Sequence, residues 1–231
     1  MKKSRTPAVA HLRFALEGDS LRELPLARRF ERIYETNLWG SPDSRSGLGS
    51  EFDATAHLRA ALPALLRELG VRTLLDVPCG DCGWISRMEL DCEYTGADIV
   101  PALIERNRVE YAATHPGWRF TRLDLTSDPL PRAGLVLSRD CLVHLSFQNI
   151  LRALENLKAS GSEWLLTTTF TDHDENQDIA DGDWRPLNLQ QAPFHLPAPQ
   201  ALIIEGCTEA EGSYADKALG LWRIADLPGR A

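Results

Sequence analysis

The segment Leu74-Leu75-Asp76-Val77-Pro78-Cys79-Gly80-Asp81-Cys82-Gly83-Trp84 runs from a short apolar stretch into a turn with two glycines. Glycine lets a backbone approach a ligand closely, and open α/β folds bind ligands at the carboxyl edge of the sheet. Asp98 closes the next apolar stretch, where a carboxylate can accept hydrogen bonds from both hydroxyls of an adenosine ribose. Asp124 closes a third, and its neighbour Leu125 can lie against a planar base. Each acid alone reads equally well as a solvated loop carboxylate or a helix cap. Asp76, Asp98 and Asp124 at the ends of three consecutive strands are a far more specific set.

Two other patterns compete for attention. Cys79-Gly80-Asp81-Cys82 is a Cys-x-x-Cys, the spacing of a redox pair or of half a metal site. A thiol at a helix N-terminus would have a lowered pKa, but the glycine and the acidic frame fit a ligand loop better. No second Cys or His pair follows at zinc spacing, so no metal is expected. Asp172-His173-Asp174-Glu175-Asn176, with Asp183 at the twelfth place, is superficially like a calcium loop, but Gln177 stands where the sharp turn demands glycine.

The elements that must position these residues follow from apolar spacing. Short apolar runs at 73–77, 94–98, 120–123, 134–138 and 164–169 alternate with helical patterns at 84–88, 101–115 and 147–159, which predicts parallel strands with crossover helices. Upstream, helical spacing predicts a short helix from Leu21 to about Tyr34 and a second over 51–69, stopped by Gly70. Residues 1–20 show no clean period and read as a loosely docked tail. Between the helices, 37–50 is a turn-rich loop carrying Trp39. Residues 170–199, rich in Asp, Asn, Gln and Pro, break the alternation, and so long a loop is usually functional. Strands at 201–205 and 218–224, joined without a helical pattern, should pair antiparallel.

Composition bounds the rest. The 231 residues carry 25 Lys and Arg against 33 Asp and Glu, a net charge of -8, which disfavours nucleic acid as a partner. With 43% hydrophobic and 25% charged residues the chain is of globular composition, and no apolar run reaches the roughly 18 to 20 residues of a membrane span. The basic start Met1-Lys2-Lys3-Ser4-Arg5 is not followed by an apolar signal core, and five cysteines, an odd number in apolar surroundings, suit a reducing compartment. A cytoplasmic location is expected.

Together these residues resemble a class I S-adenosylmethionine-dependent methyltransferase. The likeness covers about residues 51–224. It is carried by Asp76-x-x-x-Gly80-x-x-Gly83, Asp98, Asp124-Leu125 and Arg139-Asp140 after the fourth strand, and by the terminal hairpin with its antiparallel seventh strand. Asn37-Leu38-Trp39-Gly40, Arg139-Asp140-Cys141-Leu142-Val143-His144-Leu145, Asp183-Trp184-Arg185-Pro186-Leu187-Asn188 and Glu205-Gly206-Cys207-Thr208-Glu209 look like a bacterial subgroup of unassigned substrate. One departure is Cys82, which stands where a glycine is commoner.

The resemblance implies a Rossmann-like, seven-stranded, mostly parallel α/β sheet with an antiparallel last strand and helices on both faces. Residues 1–50 would be a tail, a short helix and a cap or lid loop; residues 51–231 would form the cofactor domain, with a substrate insert at 170–199. It implies S-adenosyl-L-methionine as cofactor, with Asp98 on the ribose, Gly80 and its neighbours on the methionine portion and Asp124-Leu125 on the adenine. Trp39, Asp76, Pro78, Cys79, Asp81, Gly83, Trp84, Ile99 and Arg139 complete the expected cofactor set. Asp140 and His144, after the fourth strand, would lie near the transferred methyl and could remove or shepherd a proton from a hydroxyl or amine acceptor. Trp184, Arg185 and Asn188 resemble a substrate clamp, an aromatic face beside a fixed positive fork. A small-molecule acceptor is expected, and a homodimer is left open. A macromolecular methyltransferase, a nicotinamide dehydrogenase and a non-catalytic cofactor module remain alternatives. The dehydrogenase loop requires Gly-x-Gly-x-x-Gly, of which only Gly80 and Gly83 fit.

Overall fold

A computed structural model describes residues 5–229. The apolar runs become strands β1 (Thr73–Asp76), β2 (Glu93–Asp98), β3 (Arg119–Arg122), β4 (Leu135–Ser138), β5 (Trp164–Phe170), β6 (Ala201–Ile204) and β7 (Lys217–Arg223). They form one sheet in the order β3-β2-β1-β4-β5-β7-β6. The pairs β1–β2, β2–β3, β1–β4 and β4–β5 are parallel, and β7 lies antiparallel between β5 and β6. The expected terminal hairpin is therefore present, with Leu202 opposite Gly220. Every residue of β4 and β5 is buried, as expected of central strands covered on both faces. Strand order reverses between β1 and β4, and the crevice beyond their carboxyl ends is where such sheets bind ligands.

Two helices cover one face of the sheet. In α3 (Ala56–Glu68) Leu58, Leu62 and Leu66 recur every fourth residue, all buried against Leu74, Leu135 and Leu137, each contributing about 1.5–3 kcal/mol. Gly70 stops this helix with a φ of 64°. Alongside, α4 (Pro101–Tyr111) begins with a proline, whose missing N–H costs nothing in a first turn. On the other face α5 (Phe147–Ala159) buries Ile150, Ala153, Leu154 and Leu157 against Val136 and Leu165. Its Ser146 cap accepts the Asn149 N–H at 3.4 Å.

Several boundaries differ from expectation. Residues 84–88 hold only a 3₁₀ turn, Ile85–Arg87, which ends where Met88 turns to extended backbone. The helix expected over 51–69 starts as a 3₁₀ turn at Asp53–Thr55, and α4 stops at Tyr111, ahead of Pro116-Gly117. The larger correction concerns the tail. Residues from Val9 form a helix, α1 (Val9–Arg22), packed on α2 (Leu26–Thr36) through Phe14, Leu21, Ile33 and Leu38. Its period is masked because Gly18 occupies a buried position while Leu12 and Leu16 face solvent. Arg5 ties the chain start to Asp216 through two hydrogen bonds of 2.7 and 2.8 Å. The basic start at Met1 to Ser4 lies outside the described residues.

Phe170, the first residue of the 170–199 segment, ends β5; the remainder carries no helix or strand but buries Leu187, Leu189, Phe194 and Leu196 in the α5-side core. Among the described residues, no helix is long and apolar enough to cross a membrane.

Candidate active site

The glycine turn after β1 is locked to the end of β2. Asp98 accepts the Gly80 N–H at 3.1 Å and the Val100 N–H at 2.9 Å, so one carboxylate fixes both loops. Burial lifts its carboxyl to about 6, against the pull of those bonds. Asp76, deeper at the end of β1, accepts the Tyr94 hydroxyl at 2.8 Å; burial raises it to about 7. Gly80 has a φ of 54°, and a Cβ there would stand 2.2 Å from Ser46 Oγ, so both conformation and space demand glycine. Cys82 adopts a φ of 56°, the conformation a glycine would take in its place, at a cost of about 1–2 kcal/mol. Its Sγ, 3.4 Å from Tyr94 Oη, also accepts from Asn107 Nδ2 at 3.5 Å. Burial pushes the Cys79 thiol well above its ordinary value, so it stays protonated.

Asp81 serves the loop above. Its Oδ2 accepts the Ser44 hydroxyl at 2.7 Å and the Arg45 N–H at 3.1 Å, and its own N–H donates to Ser46 Oγ. Residues 41–50 are thereby pinned over the glycine turn. On the far side, Asp124 lies two residues beyond β3, and its Oδ1 accepts from Thr126 N–H and hydroxyl at 2.8 and 2.7 Å.

These residues open on a cleft at the carboxyl edge of the sheet. Asp76, Pro78, Cys79, Gly80, Asp81 and Trp84 line its floor; Asp98, Ile99, Asp124 and Leu125 line one wall. Trp39, Arg139, Asp140 and His144 close the other end. Of the residues expected at the cofactor, only Gly83 is off the wall, its N–H donating to Asp81 Oδ1 at 3.1 Å. Leu26, Phe30 and Tyr34 of α2 also line the cleft and were missed, although their spacing of four residues is a helical stripe with one side exposed to the site.

Behind Asp140 lies a buried charge cluster that sequence reasoning also missed. Lys217 Nζ is 2.7 Å from Asp140 Oδ2 and 3.5 Å from Glu205 Oε2; Arg139 Nη2 donates to Glu205 Oε2 at 2.6 Å and to the Gly49 carbonyl at 2.7 Å. Glu205 and Lys217 are charges at the ends of apolar strands β6 and β7, which is the signal that marks them. Burial alone would raise the Asp140 carboxyl, but Lys217 and Arg139 outweigh it and hold it well below the usual carboxylate range. His144 behaves in the opposite sense. Burial lowers it to about 4, although its Nδ1 is bonded to the Asp183 carbonyl at 2.8 Å. It is a neutral imidazole at neutral pH, with Nδ1–H donating and Nε2 left as the acceptor.

The expected clamp is not assembled. Trp184 lines a second, adjoining cavity, but Arg185 and Asn188 reach neither. Arg185 donates to the carbonyls of Leu142, Leu145 and Gln177 at 2.9, 2.8 and 3.1 Å, and Asn188 donates to the His173 carbonyl at 3.0 Å. Their polar groups are consumed in holding the long segment against the loop after β4.

Solved structures show which fold this is. The 1,6-didemethyltoxoflavin-N1-methyltransferase of Burkholderia thailandensis, with 1,6-didemethyltoxoflavin and S-adenosylhomocysteine bound, superposes at a TM-score of 0.60 and 15% identity, over 90% of this chain and 89% of that one. This chain has the class I methyltransferase fold. PigF, solved with S-adenosylhomocysteine, superposes at a TM-score of 0.55 and 12% identity over 93% of this chain. The chain spans just under two thirds of PigF, 65%, and of the methyltransferase domain of bacterial CtHen1, 66%. No protein-family model matches the chain, and no curated protein does. The strand order with β7 inserted also separates this methyltransferase fold from the all-parallel 3-2-1-4-5-6 order of dinucleotide dehydrogenases.

Proposed function

We propose that the chain is an S-adenosylmethionine-dependent methyltransferase acting on an oxygen or nitrogen nucleophile of a small molecule. The observation that carries this reading is Asp98, a carboxylate fixed by two backbone N–H groups at the wall of the cleft beyond the β1 and β2 carboxyl ends. Two bonds use only part of a carboxylate's acceptor capacity, and the rest is available to the ribose hydroxyls. Gly80, with no room for a Cβ, takes the methionine portion, and Leu125 with Asp124 takes the adenine. Trp39, Asp76, Pro78, Cys79, Asp81, Trp84, Ile99 and Arg139 complete the wall.

The cofactor supplies, when bound, an electrophilic methyl on a sulfonium sulfur. The chain's contribution is alignment and exclusion of water, an orientation effect that supplies several kcal/mol in favourable cases. Trp39 and the pinned 41–50 loop close the cleft. His144, neutral with Nε2 free, accepts a hydrogen bond from the acceptor's O–H or N–H and orients its lone pair. Asp140, held ionised between Lys217 and Arg139, is a positioning residue and not a proton carrier.

Residues 8–10 and 46–49, which line the adjoining cavity, support a small acceptor over a macromolecule. Incubating metabolite extracts with methyl-labelled S-adenosylmethionine and searching for a labelled product tests the reading. A labelled small molecule formed by the wild type and not by Asp98→Ala is expected; label found only in protein or RNA would shift the assignment to the macromolecular alternative.

A further inference from the structure

Beside the cleft, and sharing Trp39, Ser46, Asp140 and His144 with it, lies a second cavity whose wall is chemically uneven. One side is aromatic. Phe170, Trp184 and Tyr214 meet edge to face, with Trp184 and Tyr214 centroids 4.8 Å apart. Such rings attract cations, and two of them already do so here: the Arg5 guanidinium stands 5.4 Å from the Tyr214 centroid and 5.9 Å from that of Phe170. Arg5 is itself neutralised by Asp216.

The other side is polar and carries Asp140, Lys217 and Glu209. Its charges do not balance. Lys217 is paired with Asp140 at 2.7 Å, and behind them Arg139 is paired with Glu205 at 2.6 Å. Glu209 is a third carboxylate, and among the described residues it has no cation within 4.0 Å; the hydrogen bond it receives is a long one, 3.9 Å from the Cys207 thiol. Burial raises its carboxyl above the ordinary value, against the pull of the nearby Lys217 charge. Gly49 keeps the space between these groups open. A Cβ there would stand 3.1 Å from Asp140 Oδ2 and 3.2 Å from both Glu209 Oε1 and Lys217 Nζ. Of the other titratable groups on the wall, burial holds the Cys207 thiol and the Tyr214 hydroxyl above their ordinary values, and His144, lowered to about 4, is neutral at pH 7.

Taking the neighbouring cleft as the methyl-donor site, we propose that this cavity holds the methyl acceptor and that the acceptor is a small organic cation with a flat apolar body. Its positive group pairs with Glu209, the surplus carboxylate, and its body lies against Trp184 and Tyr214. Glu209 is then the residue that sets specificity for charge. An anionic acceptor of the same shape would face a wall with one negative charge in excess, at reduced dielectric, and would be rejected.

Calorimetric titration with three probes of one shape tests this: phenethylamine, 2-phenylethanol and phenylacetate, each added to protein with and without S-adenosylhomocysteine. Phenethylamine is expected to bind at least about tenfold more tightly than the other two. Glu209→Gln should bring its affinity down to that of 2-phenylethanol, and Glu209→Lys should turn the preference toward phenylacetate. Neither variant should change S-adenosylhomocysteine affinity. Equal binding of the three probes, no binding of the amine, or a preference that survives Glu209→Gln would overturn the proposal. The two readings fail separately: a protein that takes the amine but not S-adenosylhomocysteine loses the methyltransferase assignment, and one that takes S-adenosylhomocysteine but no cation loses this one.

Discussion

Trp39 and His144 stack with ring centroids 4.4 Å apart and planes inclined by 29°, and both rings line the two adjoining cavities. Trp39 comes from the loop pinned over the glycine turn, and His144 comes from the segment after β4, so the stack joins the cap to the sheet. Trp39→Ala removes the cap's contact and opens the cleft to water. S-adenosylhomocysteine affinity should fall about tenfold or more, read by calorimetry, with Trp39→Phe restoring most of it. Unchanged affinity in Trp39→Ala would end the role of Trp39 as a lid.

Asp98 gives cofactor binding a defined pH dependence. Its carboxyl titrates at about 6 in the free protein, and only the ionised form offers all its lone pairs to ribose hydroxyls. S-adenosylhomocysteine affinity should be level above pH 6 and fall toward tenfold per unit below it. Asp98→Asn should bind weakly at pH 7.5 and lose the pH break. The same raised value carries a stability consequence of the opposite sign. Between the ordinary value of 3.8 and about 6 the folded chain holds more protons than the unfolded one, so this group's contribution is lost as pH rises through that window.

His144 predicts a pH profile of a different kind. With the imidazole lowered to about 4, the methyl-transfer rate at saturating cofactor should show no break near 6.5, the ordinary histidine value, and should decline only as pH approaches 4. Asn at position 144 can still accept a hydrogen bond, so His144→Asn should retain more activity than His144→Leu. A rate that breaks near 6.5 in the wild type and loses that break in His144→Leu would mean instead that His144 works as an exposed general base.

Arg185 separates a structural strut from a substrate clamp. Replacing it by Met leaves the Leu142, Leu145 and Gln177 carbonyls without their donor, and the fold should lose about 3 kcal/mol or more in urea denaturation. At temperatures where the variant stays folded, the KM for the acceptor should change little. A large KM increase at unchanged stability would restore the clamp.

The sheet was legible because its strands are continuous apolar runs and its turns carry Gly, Pro and Asp; β1, β2, β4, β5 and the β6–β7 hairpin all lie where the pattern puts them. The cleft was legible for the same reason, since its floor and one wall are loops that directly follow strands. What escaped depends on contacts distant in sequence. The α1 period is hidden because a glycine sits on its buried face. The Arg139–Glu205–Lys217–Asp140 cluster joins residues from β4's end, β6's end and β7's start, a closeness that only the antiparallel insertion of β7 creates. Arg185 looked like a ligand fork because nothing local reveals that three backbone carbonyls already occupy it.

The account turns on the cleft being a nucleoside cofactor site, and equilibrium titration of the purified chain with S-adenosylhomocysteine, beside Asp98→Ala, tests that most directly. One molecule bound per chain with a micromolar dissociation constant, lost in Asp98→Ala, is the predicted result. No heat of binding at millimolar ligand, or equal binding by the wild type and Asp98→Ala, would contradict it.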